Sequence, residues 1–160
     1  MYNNLHIFIQ KLSQFVVNKQ KNIPGRPVIL TGDLNVAHRD IDYYNPEAPH
    51  MKKSAGTTLE EQTSFYSNFM SNGFIDTYRE SFPEHKAYSY YSSRKGQRGY
   101  KNKEGLRIDY VLVGGLNLPA ASSYSASLAK NNLAFPYILE EIWSPYSDHC
   151  PVGATIPLES

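Results

Sequence analysis

Apolar side chains recur at Leu5, Phe8, Ile9, Leu12, Phe15 and Val16, a spacing that lays one stripe along a helix of roughly 16–18 residues. Ile7 and Val17 fall off that stripe, so part of the opposite face is expected to be covered as well. The polar run Asn18 to Asn22 ends the helix, and Pro24-Gly25 forces a turn. Pro27 to Thr31 then reads as a short strand, apolar on both faces and therefore buried, closed by Gly32. Thr58-Leu59-Glu60-Glu61 has capping-box spacing and predicts a helix through Phe65, Phe69 and Met70 that stops at Asn72-Gly73. Ala87 to Tyr91 and Leu106 to Val113 read as strands separated by a Gly- and Lys-rich loop, and Val152 to Ile156 as a further short strand. The Ala- and Ser-rich stretch from Pro119 to Ala129 reads as a loose connection. There are no internal repeats, and the order of elements indicates an α/β fold with a mixed sheet.

Composition narrows the class. At 160 residues, with 41% hydrophobic and 19% charged side chains, the chain is one globular domain rather than a disordered one. No apolar run approaches the ~18 residues a membrane span needs, and the first residues lack a basic segment followed by an apolar one. The single cysteine, Cys150, makes no internal disulfide, which suits a reducing compartment. It follows His149 directly and reads as a small buried residue rather than a redox group. A net charge of +1 argues against indiscriminate nucleic-acid binding but leaves local recognition open. The 13 tyrosines supply broad, half-polar contact surface.

Candidate chemistry sits at strand ends. In Thr31-Gly32-Asp33-Leu34-Asn35-Val36-Ala37-His38, Asp33 and Asn35 follow a buried strand at the edge where α/β ligand sites gather. Alternate residues of an extended chain point the same way, so an acid that takes a proton and an amide that orients a water can converge. Gly-Asp and Asn are equally ordinary turn formers. Ser147-Asp148-His149 precedes the last strand and offers a histidine to a phosphate or a metal-bound water. Asp109, in Arg107-Ile108-Asp109-Tyr110, interrupts an apolar strand and needs a partner if buried. His149, whose tautomer an Asp would fix, is one candidate; Arg107 or a backbone group is another.

Together these pieces resemble the exonuclease III-like apurinic/apyrimidinic endonucleases of the endonuclease/exonuclease/phosphatase superfamily. The run Gly32 to His38, continued by Ile41-Asp42 and Asn45-Pro46, looks like that family's signature. The match continues through Thr57 to Gln62, Phe74 to Thr77, Leu106 to Tyr110 and Ser147 to His149. The resemblance implies the C-terminal half of the four-layered α/β-sandwich, deoxyribonuclease I-like fold, as a single unit over residues 1–160. It implies catalytic roles for Asp33 (activating water), Asn35 (orienting it and holding the phosphate), Asp109 (orienting the histidine) and His149 (contacting the scissile phosphate). Asp33, Asn35, Asp148 and His149 would lie at the metal, Mg²⁺ or Mn²⁺. The implied reaction is hydrolysis of the phosphodiester 5′ to an abasic site in double-stranded DNA, inside the cell, in the nucleus of a eukaryote or in a mitochondrion or other organelle. A phosphatase acting on a small phosphoester and a non-catalytic DNA-binding module are the competing readings.

Six basic residues, Arg94, Lys95, Arg98, Lys101, Lys103 and Arg107, lie among Tyr88, Tyr90, Tyr91 and Tyr100. That pattern suits phosphate contact and stacking at a damaged base, or simply a solvated loop. In the resemblance Tyr90 and Tyr91 stand for pocket aromatics, whereas Leu106 departs from the aromatic often found there. The family's other half, with its principal metal-binding Glu, has no counterpart here. The chain is therefore expected to be the C-terminal part of a longer enzyme, with little incision activity of its own. Its sheet is expected to expose Val28, Ile29, Leu30, Ile108, Val111 and Val152, and two copies are expected to cover them as a homodimer.

Overall fold

The computed structural model describes residues 2–23, 26–114, 135–144 and 146–156; the turn at Pro24-Gly25 and the connection from Pro119 to Ala129 lie outside them. Helix α1 (Tyr2–Asn22) forms as the spacing predicts, but its buried side is Ile9, Ser13 and Val16, with Leu5, Leu12 and Val17 packed against the core. Phe8 and Phe15 are 52% and 59% exposed. Ser13 accounts for this rotation of the stripe: its hydroxyl donates to the Asn68 carbonyl at 2.5 Å and ties that edge of α1 to the end of α2.

Strand β1 (Val28–Asp33) pairs antiparallel with β3 (Asp109–Gly114), which also pairs with the short β2 (Ile75–Asp76), giving the order β1-β3-β2. Helices α1 and α2 (Leu59–Asn68) cover one face, where Leu34, Val36, Phe65, Phe69, Phe74, Tyr110 and Leu112 form the main core. β1 alternates: Val28 and Leu30 turn to that core, whereas Ile29 and Thr31 are exposed on the opposite face. The strand is thus half-buried, not buried on both faces. Of the six side chains expected on an open face, Ile29 is exposed, Val111 and Val152 are half-buried, and Ile108 is buried in a second cluster.

Thr58 caps α2: its hydroxyl accepts from the Glu61 N–H while the Glu61 carboxylate accepts from the Thr58 N–H. A single turn of tighter helix, Met70–Asn72, follows α2, and Gly73 ends it with φ +81°, a conformation glycine adopts without strain. Helix α3 (Thr77–Ser81) continues from β2, capped by Asp76. The basic stretch read as a loop contains a short helix, α4 (Gly96–Lys101). Strands β4 (Phe135–Ile138) and β5 (Val152–Thr155) form a separate antiparallel pair close to β3.

Ala87 to Tyr91 is not a strand of either sheet. It makes isolated bridges, Tyr90 to Leu106 on one side and Tyr90 to His149 on the other, with Leu106 bridging on to Tyr43. Ser89, fully buried, accepts from the Ile108 and Asp109 N–H groups at 3.0 and 3.1 Å, so this segment stitches the start of β3 to the approach of β5.

Candidate active site

Asp33 ends β1 and Asp109 begins β3, and the register places them directly opposite each other. Residues 147–149 bring His149 to the same edge, because Tyr91 N–H donates to the Asp148 carbonyl and Cys150 N–H to the Ser89 carbonyl, both at 2.7 Å. His149 Nδ1 lies 2.8 Å from Asp109 Oδ2, and its Nε2 lies 4.0 Å from Asp33 Oδ2. The Asp109 carboxylate accepts a hydrogen bond from Nδ1–H, which leaves Nε2 turned toward Asp33. Of the partners open to Asp109, the structure selects His149. Arg107 turns away from the site altogether.

Asn35 N–H donates to Asp33 Oδ1 at 2.8 Å, and Asn35 sits in the left-handed region at φ +55°, which Asn tolerates better than most residues. Burial pushes the Asp33 carboxyl above the ordinary carboxylate range, and the facing Asp109 charge adds to it; the Asn35 N–H and His149 pull the other way without cancelling the rise. Asp33, Asp109 and His149 each offer a ligand atom within 4.8 Å of the others. Two carboxylates facing across a strand pair, one already resisting ionisation, form an oxygen-rich set that a hard divalent cation would relieve. Asp148, named as a metal residue from the sequence, is half-buried and lies outside that three-residue group.

The residues read as DNA-binding separate into two sets. Tyr90 is half-buried with its ring 5.1 Å from the His149 ring, at the site. Arg94, Arg98 and Lys101 are exposed, and none forms a salt bridge among the described residues. Lys95 is held by Glu104 at 2.8 Å and lies over the Tyr44 ring, and Lys103 is held by Glu140 at 3.0 Å. Tyr91 is fully buried and donates its hydroxyl to Glu140, so it offers no ring surface to a ligand. Its phenol is pushed up by burial and by that carboxylate. Glu140 also accepts from Tyr88 N–H, and its carbonyl accepts from the Tyr100 hydroxyl, which anchors the α4 region to the turn before Trp143.

A buried ion network joins Asp42, Asp76, Arg79 and Arg107, which sequence reasoning did not bring together. Arg107 donates to Asp42 through Nε at 2.7 Å and to Asp76 through Nη2 at 2.6 Å, and Arg79 reaches Asp42 at 2.5 Å. All four side chains are buried. Burial pushes the Asp42 carboxyl up, but Arg107 and Arg79 outweigh it and hold it below the usual range. The signal was present in the sequence: Asp42 stands inside the signature run and Asp76 and Arg107 inside the other matched segments. Cys150 is buried with its thiol pushed up to about 12 by that burial, away from thiolate chemistry.

A facing acid pair and a carboxylate-held histidine thus stand together at the strand ends of a sheet whose described pairs are all antiparallel, rather than the mixed sheet the order of elements suggested. The chain belongs to the Endonuclease/Exonuclease/phosphatase family, whose sequence pattern matches residues 9–149. It is 38% identical over 134 residues to a DNA-(apurinic or apyrimidinic site) endonuclease of Dictyostelium discoideum, covering 83% of this chain and 32% of that protein. It is 39% identical over 132 residues to an exodeoxyribonuclease of Bacillus subtilis (strain 168), covering 82% of this chain and 45% of that one. The fold superposes on the crystal structure of an AP endonuclease from Leishmania major with a TM-score of 0.70 at 25% identity, over 91% of this chain and 41% of that one. The chain thus spans less than half the length of these relatives, and its likeness to abasic-site endonucleases is carried by sequence and fold alike.

Proposed function

We propose that these residues form the C-terminal portion of an abasic-site endonuclease that hydrolyses the phosphodiester 5′ to an abasic site in double-stranded DNA, within the cell and in the nucleus where there is one. The observation that carries this reading is the Asp33–Asp109 pair facing across β1 and β3 with His149 held by Asp109. Asp33, its carboxyl raised by burial, takes the proton of the attacking water. Asn35 orients that water and donates to a phosphate oxygen through its side-chain amide. Asp109 fixes the His149 tautomer so that Nε2 faces the scissile phosphate. Water oxygen bonds to phosphorus and the bond to the leaving 3′ oxygen breaks; that oxygen takes a proton from solvent to end as a 3′-hydroxyl, and the phosphate stays on the 5′ side of the abasic sugar.

Asp33, Asp109 and Asn35 would hold Mg²⁺ or Mn²⁺, with Asp148 and His149 alongside; when bound, the cation offsets charge on the phosphate and the leaving oxygen. Tyr90, Arg94, Arg98 and Lys101 would meet the DNA, with Lys95 and Lys103 available once their acidic partners yield. A homodimer through the open face around Ile29 is part of the same reading. The test is incision of an abasic-site duplex by the full-length protein with Mg²⁺, against phosphate release from small phosphoesters. Site-specific incision that falls on the order of 10²-fold or more in Asp109→Asn supports the reading. Phosphate release without incision would replace it with a phosphatase, and duplex binding without either activity would replace it with a binding module.

A further inference from the structure

The Asn35 loop is held by residues outside the catalytic set. Gly56 lies against it so closely that a Cβ built there would stand 2.8 Å from the Asn35 carbonyl oxygen, shorter than real Cβ contacts permit. The Gly56 carbonyl accepts from Ala37 N–H at 2.7 Å, so one peptide grips the loop on both sides of Val36. Gly56 is itself fixed by Glu61, a buried carboxylate that accepts from Gly56 N–H at 2.8 Å, Thr58 N–H at 3.1 Å and the Thr58 hydroxyl at 2.8 Å. The neighbouring Gln62 amide donates to the Ala37 carbonyl at 3.0 Å, and the buried Tyr110 hydroxyl donates to the Val36 carbonyl at 2.6 Å. The first turn of α2 and a tyrosine of β3 thus clamp the segment that carries Asn35, a residue already in left-handed geometry.

We infer that Gly56, held by Glu61, is a positioning residue that sets where the Asn35 side chain meets the phosphate and the attacking water; this rests on the function proposed above. A side chain at residue 56 would push the Asn35 peptide by several tenths of an ångström, and misplacement on the order of 1 Å is enough to lower a rate about 10²-fold. Gly73 provides an internal control. Its φ of +81° nearly equals the +84° of Gly56, so alanine meets the same backbone strain at both, but nothing lies within 4 Å of a Cβ at Gly73.

The experiment compares Gly56→Ala with Gly73→Ala in the full-length protein, labelled with ¹⁵N, by thermal melting, by the Asn35 side-chain amide resonances and by abasic-duplex incision. The expected result is a melting loss in Gly56→Ala at least as large as in Gly73→Ala, a shift of the Asn35 amide in Gly56→Ala alone, and a kcat at least about tenfold below that of Gly73→Ala with KM within a factor of two. Unmoved Asn35 resonances, or a kcat within twofold of the control, would overturn the inference. If Gly56→Ala does not fold, Glu61→Ala and Glu61→Gln decide it. The alanine variant is expected to shift Asn35 and lower kcat, with glutamine restoring both because it keeps an acceptor for Gly56 N–H; equal behaviour of the two overturns the inference. Should the unaltered protein fail to incise, the functional reading falls while the Asn35 resonances still test the clamp.

Discussion

Asp33 and Asp42 are carboxylates whose surroundings act in opposite directions. Asp33 is raised, so its ionised form strains the folded state. The wild-type chain gives up stability as pH rises from the ordinary value of 3.8 through the folded value. Asp33→Asn keeps an oxygen for the Asn35 N–H and removes that strain. Without divalent cations it is expected to melt higher than wild type at neutral pH, and the advantage should vanish below 3.8, while incision is lost. Calorimetry at the two pH values checks this, and an advantage that persists in acid contradicts it. Asp42 is lowered, so its contribution is present above 3.8 and lost as pH falls through the folded value. Removing Arg107 would leave two buried carboxylates with one guanidinium between them, and Arg107→Ala is expected to cost about 3–5 kcal/mol in urea unfolding. Arg107 also shows where residue-level reading failed. It counts with the basic residues of the preceding loop although it stands inside the predicted strand Leu106 to Val113, and composition does not name Asp42 and Asp76, 65 and 31 residues away, as its partners. Asp33 and Asp109 draw notice because one ends and the other interrupts an apolar run, where a polar side chain demands a reason, and His149 because it stands beside Asp148 just before the last strand; their roles come from the resemblance.

Among the elements, α2 was the most legible, since its cap is encoded in four consecutive residues and needs no distant partner. Thr58→Ala removes the acceptor for Glu61 N–H and one donor to a buried carboxylate, and is expected to lose about 1–2 kcal/mol by urea unfolding. A loss below a few tenths would show that Glu61 alone carries the cap. The strands were harder to read. β1 looked buried on both faces because Ile29 is as apolar as its neighbours, yet Ile29 is half exposed even though its cross-strand partner Val113 is buried. The segment from Ala87 to Tyr91 has strand composition, but its hydrogen bonds go to residues near 106 and 149, a pairing set by topology and invisible to periodicity. β2, with two residues, is too short for any periodic signal.

For the molecule as a whole, the sheet carries an exposed apolar position on the face away from α1 and α2. Ile29 is 48% exposed there beside Thr31 and the half-buried Val111. If two copies close that face, the chain sediments as a dimer at high micromolar concentration and Ile29→Lys returns it to monomer with its melting temperature little changed. A wild-type monomer under those conditions removes the dimer. The route by which the site comes together has a different consequence. Asp109 and His149 are 40 residues apart in sequence, as are Tyr100 and the Glu140 carbonyl that receives its hydroxyl, and Trp143 stacks on Tyr100 at 4.7 Å. Both contacts wait on closure of long loops, which is slow and comes after local helix formation. In stopped-flow refolding, fluorescence of the single tryptophan should therefore change in a late phase, and if Asp33, Asp109 and His149 take up Mn²⁺ as proposed, uptake is expected to begin in that same phase, making the Trp143 signal a clock for the moment the site exists.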